Sequence, residues 1–418
     1  MSNKRWLYLG AATITLLFLG LIYAWSIFKV PLGEMFPNWT VSQMSLTFTI
    51  SMICFCLGGF AGGLLSRKLS VRVRFIIGAV LLFIGFFAVS LLKADNPTAS
   101  LTKLYIFYGI FGGGGVGFAY NIVIGTINKW FPDKVGLASG IMLMGFGLGG
   151  LALGSVVNVM IAGSGLLPTF RILGIAIAAV CVLAAFIIKA PTEEDSRELA
   201  AAAVAAKSLS GKSGNAADEK KDLAVDYSPA EMLKTAPFWI FVLWCIVLNA
   251  AGLLVINSAA NISIAFGGTA VLGMIVSLFN GAGRIVAGTN FDRNGRKIAT
   301  ITNSCFMLIA GLLLAAGGLT GKFILIMLGL IFVGLAYGGN PTITSAYINS
   351  AFGAKNFPTN FSIANFSLIP AATIGPMISA SLLEKAGGNY NTNFYAIIAF
   401  AVISLVLWVL LNITSKDK

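Results

Sequence analysis

Apolar runs alternate with short polar breaks along nearly the whole chain. Runs lie at 6–28, 41–65, 75–92, 104–128, 137–161 and 172–188, then at 238–260, 270–291, 298–319, 323–344, 360–383 and 394–413. At about 1.5 Å of helix rise per residue, runs of this length are suited to a hydrocarbon core of roughly 30 Å. The pattern therefore predicts an all-α integral membrane protein with twelve transmembrane helices. A polar stretch separates the sixth run from the seventh and contains EEDSRE, GKSGN, DEKKD and an Ala-rich patch. The expected organisation is an N-terminal six-helix bundle over 1–189, a cytoplasmic connector over 190–237 and a C-terminal six-helix bundle over 238–418. Charged, aromatic-poor tracts seldom bury enough apolar surface to fold, so most of the connector is expected to be a mobile linker. Its end is different: Ser228-Pro229-Ala230-Glu231 has the spacing of a capping box with proline at the first helical position, which predicts a short helix leading into Phe238.

Composition agrees with a membrane protein. The chain is 57% hydrophobic and 10% charged, with a mean hydropathy of +0.90, which excludes a soluble protein of this length. A net charge of +13 raises the question of a nucleic-acid partner, and the placement of the basic residues answers it. With the N-terminus inside, the inner segments hold Lys4, Arg5, Arg67, Lys68, Arg72, Arg74, Lys129, Lys134, the connector cations, Arg293, Arg296, Lys297, Lys355, Lys416 and Lys418. The opposite segments hold Lys29, Lys93, Lys103, Arg171, Lys322 and Lys385. That asymmetry follows the positive-inside rule, so the expected partner is a lipid bilayer, with no nucleic acid and with both termini cytoplasmic in the cell (inner or plasma) membrane. The run after Lys4-Arg5 is too long for a cleaved signal core and reads as a retained first span. The five cysteines all sit inside apolar runs, without metal-ligand spacing and without any histidine in the chain, and read as small buried hydrophobes.

One residue breaks the apolar pattern at depth. Arg284 lies near the middle of the run 270–291, about 12 Å of helix from Asp292 at its polar end. A guanidinium stem does not comfortably snorkel that far, and an arginine there costs roughly 2.5–3.5 kcal/mol on insertion scales. Such a residue normally faces a protein interior or a watery cavity. Asn280 stands one turn earlier on the same face, and Gly281, Gly283 and Gly288 leave room beside it. Two readings follow: an anion-binding residue in a transport site, or a structural arginine that bonds helix carbonyls or pins two helices. All the acidic residues fall in loops or at span ends, so the usual intramembrane proton carriers are missing. A single buried cation neutralises one carboxylate, whereas a dianion leaves a charge uncompensated, so a monoanionic substrate is expected. An enzyme is disfavoured by the absence of histidine, of a buried carboxylate pair and of an activated nucleophile. No cofactor is expected, since the glycine run at 111–117 lacks the lysine and serine of a phosphate loop.

The two halves echo each other. GLLSRKLSVR at 63–72 and GTNFDRNGRK at 288–297 follow corresponding spans at a constant offset, and Phe131-Pro132 matches Phe357-Pro358. Repeats at corresponding span ends suggest related bundles that rock about a binding site. The second loop pattern resembles the signature of the major facilitator superfamily. GLIYAWSIF at 20–28, NKWFPDKVGLASG at 128–140, GFGLGG at 145–150, EMLKTAPFW at 231–239 and LFNGAGR at 278–284 resemble, more narrowly, its oxalate/formate antiporter branch and the related monocarboxylate transporters. The resemblance implies the major facilitator fold and exchange or symport of small carboxylates.

The resemblance also implies site residues. Tyr23, Tyr120 and Asn121 match or adjoin positions that are aromatic in the family, and Phe146 stands where tyrosine is often found; Asn249 and Tyr337, polar and aromatic residues at mid-span positions, continue the ring. For each aromatic, plain helix packing is the competing reading. Asp292, Arg293, Gly295, Arg296 and Lys297 keep the charge-relay and helix-cap pattern associated with conformational gating. The first copy departs from it, with Arg67 for the usual aspartate and Ser70 for the usual glycine. The oxalate exchanger's second cation, a lysine on span eleven, falls here on Leu368 or, in an alternative register, on Ala364. The aspartate that proton-coupled carriers place one turn before the arginine is Asn280. The expected activity is anion exchange of formate-, lactate- or pyruvate-sized monocarboxylates by a protein working as a monomer. A proton-coupled symporter and a transporter-like carboxylate sensor are the alternatives.

Overall fold

A computed structural model of the chain describes residues 2–209, 226–256 and 258–415. The secondary structure of these residues is helical. The first span is α1 (Ser2–Leu19) and α2 (Trp25–Met35), joined by a 3-10 turn at Gly20–Ala24. It runs past Lys29 and Pro31 to Met35, further than the apolar pattern suggests, with Pro31 inside α2. There follow α3 (Val41–Leu64), α4 (Val71–Phe87), α5 (Pro97–Leu104), a π-helical segment at Tyr105–Gly112, α6 (Gly113–Ile127), α7 (Val135–Ser164) and α8 (Leu166–Ile187). The second half contains α11 (Ala236–Ile256), α14 (Ile275–Thr320), α15 (Phe323–Phe352), α16 (Phe357–Asn365), α17 (Leu368–Lys385) and α18 (Asn391–Thr414), with α12 (Ala259–Ala265) and α13 (Ala270–Gly273) as short connections.

Among the described residues, 11 helical stretches are long and apolar enough to cross a membrane, against the twelve runs in the sequence. The difference lies in α14, whose 46 residues join the eighth and ninth runs. Inside it Gly295 has φ 77° and ψ 177°, a backbone conformation that breaks the helix and is essentially confined to glycine. Counted on either side of Gly295 the spans number twelve, and the chain is a multi-pass membrane protein. A Cβ at this position is strained whatever the surrounding space, and nothing lies within 4 Å to relieve or add to it. Gly295→Ala is therefore expected to cost about 1–3 kcal/mol, read as a lower melting temperature of the purified protein. Gly10→Ala, where an added Cβ also meets nothing within 4 Å and the helix is regular, should instead leave it unchanged or raise it, since alanine is the better helix former by about 0.5–1 kcal/mol.

The connector holds more helix than its composition suggests. α9 (Glu193–Leu209) forms over the acidic and Ala-rich stretch. Thr192 starts it: its amide and hydroxyl donate to Asp195, and the Asp195 amide donates back to Thr192 Oγ. Three acidic residues in the first turn complement the helix dipole and alanine carries the best helix propensity, and Leu199 is buried where α9 packs on the turn at Asn128–Trp130. These bonds, chiefly from the Thr192 backbone, hold the Asp195 carboxyl below its ordinary value. α10 (Pro229–Leu233) shows the expected capping box between Ser228 and Glu231, and the Ser228 amide likewise lowers the Glu231 carboxyl. The stretches GKSGN and DEKKD, expected to belong to a mobile linker, lie outside the described residues.

The chain divides into two compact units. The first draws on Met1–Asp133, Gly145–Lys212 and Phe357–Ile363, and the second on Lys134–Met144, Ser213–Asn356 and Ala364–Lys418. In the first unit α3 packs on α6 and α4 on α8. The α3–α6 approach needs Gly117, where a Cβ would overlap the Phe55 carbonyl. In the second unit α14 packs along α15 and α18, and α11 against α17 and α18. All five cysteines are free, with Cys56, Cys181 and Cys245 buried and Cys54 and Cys305 partly so.

Candidate functional site

Arg284 is 4% exposed and lies in the first part of α14. Its Nη1 donates to the Leu143 carbonyl at 2.6 Å, and its Nε to Asn280 Oδ1, one turn earlier, at a long 3.4 Å. Nη2 has no acceptor among the described residues. Glycines make this geometry reachable. Gly338 on α15 lies so close to the Asn280 carbonyl that a side chain there would overlap it, and Gly140 on α7 packs in the same way on the Arg284 carbonyl. Gly140 stands one turn before Leu143, so the close approach of α7 delivers the Leu143 carbonyl to the guanidinium. The structural reading of Arg284 is thus realised in part: it bonds one helix carbonyl. A neutral carbonyl and one amide oxygen do not neutralise a buried cation, and the Nη2 edge of the fork remains able to donate to an anion.

The second unit buries further polar side chains. Asn249 on α11 is buried and makes no hydrogen bond with any described residue. Tyr337 on α15 packs its ring into the space left by Gly252, one turn beyond Asn249. A further polar group, to which the family resemblance did not point, is hydrogen-bonded internally. Asn303 donates to the Ala336 carbonyl at 2.9 Å, Asn340 to the Cys245 carbonyl at 3.3 Å, Thr344 to the Asn340 carbonyl at 2.9 Å and Trp244 to Ser304 at 3.0 Å. The signal for it in the sequence was amides and hydroxyls inside apolar runs, since such groups are costly in hydrocarbon unless paired.

In the first unit three of the expected residues come together as an aromatic group. Tyr23 meets Phe146 edge-on at 5.2 Å and Tyr120 meets Phe146 at 4.9 Å. Phe55 and Phe361 complete it, at 5.1 Å and 6.1 Å from Tyr120; neither has a distinguishing signal in the sequence. Tyr23 is the open member, 38% exposed, on the 3-10 turn within the first span. Asn121 is placed otherwise than its neighbour Tyr120. Its Nδ2 donates to the Pro358 carbonyl at 2.8 Å and to Ser362 Oγ at 3.0 Å, which commits the amide nitrogen to a helix joint and leaves Oδ1 buried without a donor. Gly63 packs on the same Pro358 carbonyl.

The loop residues of the second signature also show defined chemistry. Asp292 accepts from the Gly136 and Leu137 amides at 2.8 and 2.7 Å, which caps the start of α7 with a carboxylate. Gly295 supplies the helix break, Arg296 lies over the Tyr347 ring at 5.6 Å, and the Lys297 carbonyl accepts from Trp408 at 2.9 Å. Arg293 is also engaged.

A family model described as Major Facilitator Superfamily matches residues 6–368. The chain belongs to the major facilitator superfamily. Among curated proteins it is similar to the oxalate:formate antiporter of Oxalobacter formigenes, 25% identical over 98% of this chain and 92% of that one. It is also similar to the uncharacterized MFS-type transporter YhjX of Escherichia coli, 27% identical over 87% of this chain and 84% of that one. Human monocarboxylate transporter 12 is 28% identical over 36% of this chain and 27% of its own. Among solved structures the proton:xylose symporter XylE matches with a TM-score of 0.73 at 18% identity, covering 98% of this chain and 95% of that one. The transporter FucP in its outward conformation matches at 0.66 and 15%, covering 98% and 99%; at such identities the likeness concerns the fold. Family and fold are those of transporters.

Proposed function

We propose that this superfamily member is a secondary transporter of small monocarboxylates working by anion exchange in the cell membrane, with both termini cytoplasmic. The observation that carries the reading is Arg284, a 4%-exposed guanidinium held by a carbonyl and an amide oxygen, with no carboxylate on it and its Nη2 edge without an acceptor among the described residues. A carboxylate is the ligand whose planar oxygens fit that fork and whose charge cancels it. Asn280 and Asn249 supply further amides in the same unit, and Tyr337 a phenol. Tyr23, Tyr120 and Phe146 give the substrate path its apolar lining in the first unit, while Asn121 serves as a joint. Asp292, Arg293, Gly295, Arg296 and Lys297 act in gating, where the carboxylate cap on α7 is an interaction that a conformational change must make and break. The similarity to an oxalate:formate antiporter and to monocarboxylate transporters supports the substrate class.

Charge counting narrows it. One cation and no second lysine near Leu368 or Ala364 leave one charge of a dianion uncompensated. Formate, acetate, lactate and pyruvate are therefore expected to bind at least about tenfold more tightly than oxalate, the equivalent of roughly 1.4 kcal/mol. The test is ligand-dependent stabilisation of the purified protein across this set of acids. Tight, saturable stabilisation by oxalate in preference to the monoanions would count decisively against the reading.

A further inference from the structure

Arg74, in the first turns of α4, is 6% exposed. Its guanidinium nevertheless makes no hydrogen bond, ion pair or ring contact with any described residue, and Nε is shielded from solvent without an acceptor. Other arginines of the chain have a partner: Arg5 pairs with Asp133 at 2.8 Å, Arg72 lies over Phe186 at 5.2 Å and Arg296 over Tyr347. Lys129, in the turn after α6, is a second cation close enough to feel the Arg74 charge. α9, with Glu193, Glu194 and Asp195 in its first turn, packs on that turn, yet no ion pair from it to Lys129 or Arg74 forms among the described residues. α4 packs against α6, α8 and the π-helical segment, and none of these contains an aspartate or glutamate. Asp133, the nearest acid in sequence to Lys129, is already held by Arg5.

Two cations are thus set together, one of them deeply buried, with no carboxylate on any element packed against α4. Burying a guanidinium without a counter-charge is costly, and the cost falls when an anion brings both charge and acceptor oxygens. We propose that Arg74 and Lys129 form a binding site for a phosphate-class oxyanion, separate from the carboxylate site at Arg284. A phosphate group carries a charge close to that of the pair and offers several acceptor oxygens, which suit the Arg fork together with the Lys point charge. Its source is either a free phosphate or the headgroup of an anionic phospholipid. The second arises naturally because Arg74 and Lys129 lie at helix ends, where basic pockets between spans meet lipid headgroups.

The experiment measures melting temperature and, by native mass spectrometry, bound mass for the delipidated full-length protein. One arm titrates inorganic phosphate against chloride, and the other compares nanodiscs of phosphatidylcholine alone with nanodiscs containing phosphatidylglycerol. The wild-type protein should gain stability saturably and retain the added mass in at least one arm. A response in the phosphate arm assigns a soluble anion, and a response only to phosphatidylglycerol assigns a lipid. Arg74→Gln should abolish the effect and Lys129→Gln should weaken apparent affinity about tenfold, with carboxylate binding at Arg284 retained in both. Lys129 is exposed, so its variant carries the test if Arg74→Gln does not fold. Absence of a response in both arms, or a response undiminished in Lys129→Gln and in any folded Arg74→Gln, overturns the site.

Discussion

Arg284→Gln should abolish carboxylate binding, by at least about a hundredfold in affinity, and leave a folded protein. A charge-assisted hydrogen bond is worth about 1.5–3 kcal/mol net, and the substitution removes the bidentate fork together with the charge. Glutamine keeps a donor, so it can still satisfy the Leu143 carbonyl that Arg284 Nη1 now reaches at 2.6 Å. It also removes a buried cation, which takes away a desolvation cost. The ligand-free variant should therefore melt at or above the wild-type temperature, and that separates loss of a ligand from loss of the fold. Arg284→Lys tests geometry at constant charge. An ammonium on a flexible stem replaces a planar fork, so binding should be poor there as well. Undiminished carboxylate binding by folded Arg284→Gln would leave the residue with the structural role alone.

The second large effect concerns coupling. In reconstituted vesicles, internal carboxylate should stimulate uptake of external carboxylate by at least about tenfold, which corresponds to a barrier difference of roughly 1.4 kcal/mol. The reason is again Arg284. Substrate-loaded, its charge is cancelled; empty, it has a carbonyl and a distant amide oxygen, and carrying that uncompensated cation through the return step is slow. A second carboxylate on the return restores neutrality, so the cycle is an exchange. A proton offers no substitute, because the position one turn before the arginine is Asn280, which does not titrate, and the chain has no histidine. The measurement is uptake into proteoliposomes with and without internal carboxylate, at imposed pH gradients. Rapid uptake into empty vesicles driven by an inward proton gradient would replace exchange by symport and demand a titrating group elsewhere. No saturable uptake under either condition, with binding intact, would point to a sensor.

Much of this was legible without coordinates, because hydrophobicity and charge are local properties that add along the chain. Apolar runs of membrane length, the bias of lysine and arginine to alternate loops, and the isolation of Arg284 in the run 270–291 are each read from residue order. The same holds for the absence of acidic residues from the spans, on which the monoanion and exchange arguments rest. Local signals also carried the Ser228–Glu231 capping box. They were present for α9 as well, in Thr192, Asp195 and the alanines, but the polar composition of the connector spoke against it.

Tertiary structure decided which donor meets which acceptor. Asn121 and Asn249 look alike as amides inside apolar runs, yet the Asn121 nitrogen is taken by Pro358 and Ser362, more than two hundred residues away in sequence, while Asn249 makes no hydrogen bond with any described residue. The loop expected between 291 and 298 proves to be helix on both sides of a single break at Gly295. Arg74 read as one topology marker among several, and its lack of a partner emerges only when α6 and α8 are seen to bring no acid to it. Arg284 was evident as a buried charge, but the carbonyl that holds it comes from α7, at a distance set by glycines. The physical reason is common to these cases: the cost of burying a polar group can be read from its neighbours in the chain, whereas its partner comes from another segment, through a close approach of backbones that hydropathy and charge patterns do not encode.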